Sequence, residues 1–167
     1  MAAKSSFTIS LYLFIIACSL GNANAQTGSK KQGLPEIELK LHNNETVELT
    51  ELKGKVVLLD FWYRGCYPCL KAIPGLIELQ EEFKDDLIII GVNIYDIQED
   101  VVDYIVYKKM NYSSTFKNGD KLAKVFNVKE YPTTMLYDRK GNLVKIDTGF
   151  SEARMKSLRR AIQKALK

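Results

Sequence analysis

Val56-Val57-Leu58-Leu59-Asp60-Phe61-Trp62-Tyr63-Arg64-Gly65-Cys66-Tyr67-Pro68-Cys69 is the stretch on which the reading of this chain turns. Its first half is an apolar run of Val and Leu, the composition of a buried strand. The run leads within a few residues to a Cys-x-x-Cys pair followed by helix-forming residues, so the order is strand, tight connection, helix beginning at a thiol. A cysteine in the first turn of a helix faces unpaired backbone N–H groups and the positive end of the helix dipole. Its thiolate is stabilised and its pKa is expected to fall. Pro68 belongs in that first turn, where a missing N–H removes no hydrogen bond.

Working outward, Leu87-Ile88-Ile89-Ile90-Gly91-Val92 is a second buried strand, and two such continuous runs suit a sheet covered on both faces. The helix between them is expected from Cys66 to Phe83, with Leu70, Ile73, Leu76, Ile77 and Leu79 on its apolar face and Pro74 as a kink. Glu36–Leu41 and Thr46–Leu49 alternate with period two and predict an N-terminal hairpin around His42-Asn43-Asn44-Glu45, with His42 as an exposed turn residue. Glu51–Lys55 reads as a loop. Glu99–Lys109 predicts a helix with Val101, Val102, Ile105 and Val106 inward, followed by a strand over 112–116 and a short helix over 120–126. Thr133–Tyr137 and Leu143–Ile146 flank Asp138-Arg139-Lys140-Gly141-Asn142 as a C-terminal hairpin, and Ser151 caps a last helix running to Leu166.

The first residues give an address. Lys4, an apolar core over 7–17 and Ala23-Asn24-Ala25 form the charged, apolar and small-x-small parts of a signal peptide over residues 1–25. The apolar core is shorter than the about 20 residues a membrane-spanning helix needs. Ile15-Ile16-Ala17-Cys18 also fits a lipoprotein box, so a lipid anchor at Cys18 stands as the alternative to simple secretion. Residues 26–33 form a polar linker, and 34–167 form one domain.

With Cys18 removed or lipidated, Cys66 and Cys69 are the only free thiols left. A structural disulfide closing so short a loop constrains the unfolded chain little, which favours redox chemistry over a staple or half of a shared metal site. Two thiols and a single His do not make the four ligands of a structural zinc site, so no metal is expected. Beyond residue 25 the net charge is +3, too balanced to argue for nucleic acid. The basic run from Arg154 to Lys167 reads as a solvated helix face.

Asp60-Phe61-Trp62-x-x-x-Cys66-x-Pro68-Cys69, Pro74 eight residues after Cys66, and the distant Tyr131-Pro132-Thr133 together resemble the thioredoxin superfamily. The exported start and longer middle segment are most similar to its TlpA/ResA-like thiol–disulfide oxidoreductases. The resemblance runs from Pro35 to the C-terminus. It implies an α/β fold, a central mixed sheet flanked by helices, with the N-terminal hairpin and an inserted α/β element. It also implies protein-disulfide substrates, apocytochromes among them, a membrane thiol donor, a periplasmic or cell-envelope location, and no cofactor beyond a redox-active Cys66–Cys69 disulfide.

In that scheme Cys66, at the exposed helix start, attacks as thiolate, and Cys69, one turn in, resolves the mixed disulfide. Asp60, on a buried strand where a carboxylate is costly and its pKa rises, is the candidate acceptor of the Cys69 proton; the matching position in thioredoxin holds an acid with that role. The resemblance implies a cis bond before Pro132, leaving Tyr131 backbone groups to pair with a substrate segment, and Tyr67 and Pro68 are assigned to substrate contact with them. Trp62 reads as core. Two departures stand out: Gly65 replaces the usual Trp before the first Cys, and Ala72 replaces the Glu that ResA-like proteins carry three residues after the second, which throws weight on Asp60. A non-catalytic binding module and a peroxiredoxin-like peroxidase are the alternatives, the latter opposed by Tyr63 where a Thr is typical.

Overall fold

The computed structural model describes residues 33–167. The expected signal peptide, the lipidation site Cys18 and linker residues 26–32 lie outside the described residues. Gly33, assigned to the linker, forms a β-bridge with Asn142.

Among the described residues, seven strands and four α-helices follow one another as β1 (Glu38–Lys40), β2 (Thr46–Glu48), β3 (Val56–Trp62), α1 (Tyr67–Glu82), β4 (Leu87–Asn93), α2 (Gln98–Lys108), β5 (Ser113–Ser114), α3 (Asp120–Val125), β6 (Thr133–Tyr137), β7 (Leu143–Thr148) and α4 (Glu152–Ala165). β1 and β2 pair as the expected antiparallel hairpin. The others form one mixed sheet in the order β5-β4-β3-β6-β7, parallel across β5, β4 and β3 and antiparallel across β3, β6 and β7. β3 lies at the centre, and all seven of its residues are buried.

Period-two alternation divides β3 between two cores. Val56, Leu58 and Trp62 pack with Ile73, Leu76 and Leu79 of α1, Val101 and Ile105 of α2, and Leu158 and Ile162 of α4. Val57, Leu59 and Phe61 pack on the other face with Leu39 of the hairpin, Leu49, and Leu122 and Ala123 of α3. Covering on both faces is why the strand is apolar at every position but Asp60. Arg159 joins α4 to α1 through Glu78, at 3.6 Å, and Glu82, so the basic helix face is partly paired rather than wholly solvated.

Four local expectations are corrected. The loop after β2 begins as a 3-10 turn over Leu49–Leu52, because the Glu48 side chain accepts the Thr50 N–H and caps it. Val106 is 72% exposed; at 100° per residue it falls outside the stripe set by Val101 and Ile105. The strand expected over 112–116 shortens to Ser113–Ser114, since only Ile90 and Gly91 of β4 pair with it. His42 is half-buried rather than exposed, because its Nδ1 accepts the Ser114 N–H at 3.4 Å and its own N–H donates to the Ser114 carbonyl at 2.8 Å.

The approach of β4 to the turn before α3 depends on Gly119. A Cβ there would lie 2.2 Å from the Asn93 carbonyl oxygen and 2.6 Å from Thr115 Oγ1, while the backbone has an ordinary φ of −66. Space, not conformation, demands the glycine. Gly119→Ala is expected to lower stability by about 2–3 kcal/mol. Urea unfolding monitored by Trp62 fluorescence checks this; an unchanged midpoint would mean that the turn gives way freely.

Candidate redox site

Cys66 is the N-cap of α1, with extended backbone, and its Sγ accepts the Cys69 N–H at 3.2 Å. Sulfur takes the place that a Ser or Asp oxygen holds at other helix starts. The same donor and the helix dipole favour a negative charge on Sγ once the bridge opens. Pro68 lies within the first turn. Cys66 and Cys69 are joined by a disulfide with their Cα atoms 5.2 Å apart.

The expected exposure of Cys66 is corrected: the residue keeps 5% of its surface against 1% for Cys69. Bridged to Cys69, it belongs to the buried cluster that includes Trp62, Ala72 and Ile73. What faces solvent is the frame, Arg64, Gly65, Tyr67 and Pro68. A Cβ on residue 65 would come within 3.1 Å of the Tyr63 ring, so glycine preserves that ring's place beneath the loop.

Asp60 sits fully inside the sheet, opposite Gly91 on one side and Thr134 on the other. Burial pushes its carboxyl up from 3.8 to about 7. Among the described residues its Oδ1 has no hydrogen-bond partner, nor do the hydroxyls of Tyr104 and Tyr112. Burial first, then the neighbouring Asp60 and Tyr104, hold the Tyr112 phenol well above its usual range. Asp60 alternates in phase with Leu58 and Trp62, placing it on the sheet face that α1 covers. Trp62 is core, as expected; its indole N–H donates to Ser114 Oγ at 3.0 Å, in space left by Gly91.

The Tyr131–Pro132 peptide is cis. Pro132 is buried and Tyr131 half-buried, and the Tyr131 ring meets Tyr63 edge-on at 5.7 Å. Tyr63 meets Tyr95 in the same way at 5.1 Å. Three tyrosines from separate segments thus connect the strand end before the cysteines, the loop after β4 and the loop before β6.

Sequence reasoning missed the residues that hold this frame. Asp96 Oδ2 accepts the Arg64 N–H and the Asn93 side-chain N–H, each at 2.7 Å, while Asn93 Oδ1 accepts the N–H groups of Tyr95 and Asp96. The Arg64 guanidinium pairs with Asp100 of α2. Asn at a strand end, with backbone donors two and three residues on, is an Asx-turn signal. Arg64, which donates to Asp96 from 32 residues earlier in the chain, carries no such signal.

A mixed sheet with a Cys-x-x-Cys disulfide at the start of the helix after its central strand, next to a cis-proline loop, defines a thioredoxin-fold thiol–disulfide oxidoreductase. The chain belongs to the AhpC/TSA family, whose model matches residues 31–146. It is 34% identical over 136 residues to the thioredoxin-like protein YneN of Bacillus subtilis (strain 168), covering 74% of this chain and 78% of the relative. To the thiol-disulfide oxidoreductase ResA of the same organism it is 28% identical over 145 residues, covering 82% and 81%. The solved structure of a DsbE-like thiol:disulfide interchange protein from Chlorobium tepidum superposes with a TM-score of 0.76 at 26% identity, over 82% of this chain and 97% of that one. With these relatives and the Cys66–Cys69 pair, the chain is a thiol–disulfide redox enzyme.

Proposed function

We propose that the protein works as a reductase of protein disulfides, with Cys66 as nucleophile, Cys69 as resolving thiol and Asp60 as the acceptor of the Cys69 proton. The observation that carries this reading is the Cys69 N–H aimed at Cys66 Sγ, at the start of the helix that follows the strand holding Asp60, whose buried carboxyl is pushed up to about 7. The Cys66 thiolate attacks one sulfur of a substrate disulfide, forming a mixed disulfide and expelling the first substrate thiolate. Cys69, its proton passed to Asp60, attacks Cys66 Sγ and expels the second. Two electrons pass to the substrate, and the protein is left in the bridged form seen here. Exposed Tyr67 and Pro68, with the Tyr131–Pro132 loop, frame the substrate segment, Tyr131 backbone groups pairing with it as an added strand.

The apolar core over 7–17 and Ala23-Asn24-Ala25 support export to the cell envelope, with anchoring through Cys18 as the alternative. There the reset needs a dithiol donor, and a membrane thiol protein is the chemical class that supplies one. Apocytochrome disulfides are one substrate class consistent with the likeness to ResA. No helix among the described residues is long and apolar enough to cross a membrane.

The equilibrium potential of the Cys66–Cys69 pair, titrated against thiol buffers, tests the direction. A value near roughly −270 mV is expected for a reductase, whereas one near roughly −120 mV would make the protein an oxidant. A pair that never bridges across that range would leave only a binding module.

A further inference from the structure

Beside the redox site, and sharing Tyr131 with it, lies a groove of about 510 Å³. This is the size range of pockets that enclose a side chain or small ligand. Buried Ile94 and Ala123 form its floor, with half-buried Val128 beside them. Tyr131 and Tyr95 form its wall, and Tyr95 is 64% exposed although its ring is anchored on Tyr63. An apolar floor under an exposed aromatic ring leaves surface that a peptide side chain would cover.

Charge at the mouth is not balanced. Lys124 is paired with Asp120 at 2.9 Å, one turn apart on α3. Lys117 is exposed and, among the described residues, has no carboxylate within ion-pair distance. Its backbone N–H donates to the Asp96 carbonyl at 2.8 Å, which holds it at the mouth. The groove therefore presents an apolar floor, an aromatic wall and one free cation, directly continuous with the residue that precedes Pro132.

We propose that this groove is a specificity subsite for disulfide-bearing polypeptides, taking an apolar side chain flanked by an acidic residue a few positions from the substrate cysteine. The occupant follows from the lining: the floor accepts a leucine- or phenylalanine-sized group, and Lys117 attracts a carboxylate next to it. The subsite deepens the reductase reading and rests on it.

The test compares reaction rates of the reduced full-length chain with disulfide-bonded peptides carrying Leu-Glu, Ser-Glu or Leu-Gln three residues before the cysteine, and a second set with the pair three residues after it. 2,2′-Dithiodipyridine, small and neutral, serves as the reference oxidant. In one of the two sets the Leu-Glu peptide is expected to react about tenfold faster than either other peptide. Lys117→Glu should remove the preference for Glu over Gln, Lys117→Arg should keep it, and rising salt should weaken it. All three proteins should react alike with dithiodipyridine. Equal peptide rates in both sets, or a preference indifferent to Lys117→Glu, overturn the subsite. Failure of the wild-type chain to react with dithiodipyridine overturns the reductase reading instead.

Discussion

Cys66→Ser is expected to cut protein-disulfide reduction by about 10³-fold or more, because serine at neutral pH offers no thiolate to begin the exchange. The fold should survive the change. A bridge between residues three apart closes a very small loop, and its loss costs about 2 kcal/mol in the chain-entropy account. Cys69→Ser separates the two roles. It keeps the attacking thiolate and the N–H that points at it, so it should accumulate a covalent adduct with substrate, visible on a non-reducing gel. Wild-type turnover in Cys66→Ser would move the attack to Cys69, and absence of the adduct in Cys69→Ser would remove the resolving step. If a partner is still captured and affected by Cys66→Ser, binding without turnover becomes the better reading.

Asp60→Asn should raise stability above pH 7 while slowing exchange. In the folded protein the carboxyl titrates near pH 7, and in the unfolded chain near 3.8. Between those values the unfolded chain has released a proton that the folded one keeps, so stability falls as pH rises through this window. The contribution is fully present below about pH 4 and lost above about pH 7, a total of about 4 kcal/mol at 1.36 kcal/mol per unit. Asparagine has nearly the same shape and no charge to bury. The variant should therefore match the wild type in acid and exceed it at pH 8, by about 10 °C in melting temperature. Melts at pH 4, 6 and 8 check this, and parallel pH dependences would contradict a buried, titrating Asp60. The proposed proton-acceptor role adds a second readout. The resolving step should slow by about 10²-fold and lose its inflection near pH 7. A stability change without a rate change would leave Asp60 as a buried acid outside the reaction.

The two effects meet in one residue because Asp60 is the single charge on a strand covered on both faces. That much was legible in Val56–Trp62, where an acid interrupts an otherwise apolar run. The strand–Cys-x-x-Cys–helix order was legible too, since periodicity, proline placement and helix-start electrostatics are local properties of contiguous residues. So were β3, β4, α1 and the C-terminal hairpin, each to within one or two residues.

Misreadings gathered where neighbours outside the segment decide. His42 looked like a free turn residue until Ser114, 72 positions later, was seen to donate to it. Cys66 looked exposed at its helix start, but it is buried in the core cluster under α1. The Asn93–Asp96 clasp on Arg64, the tyrosine triad and the Lys117 N–H bond to the Asp96 carbonyl join segments tens of residues apart, and no local pattern announces such pairings. By itself the sequence determined the Cys-x-x-Cys pair, its helix and the buried acid, because backbone donors and burial act within a few residues. Only the tertiary structure decided what surrounds them, because register across the sheet brings Tyr63, Tyr95 and Tyr131 to one end of it.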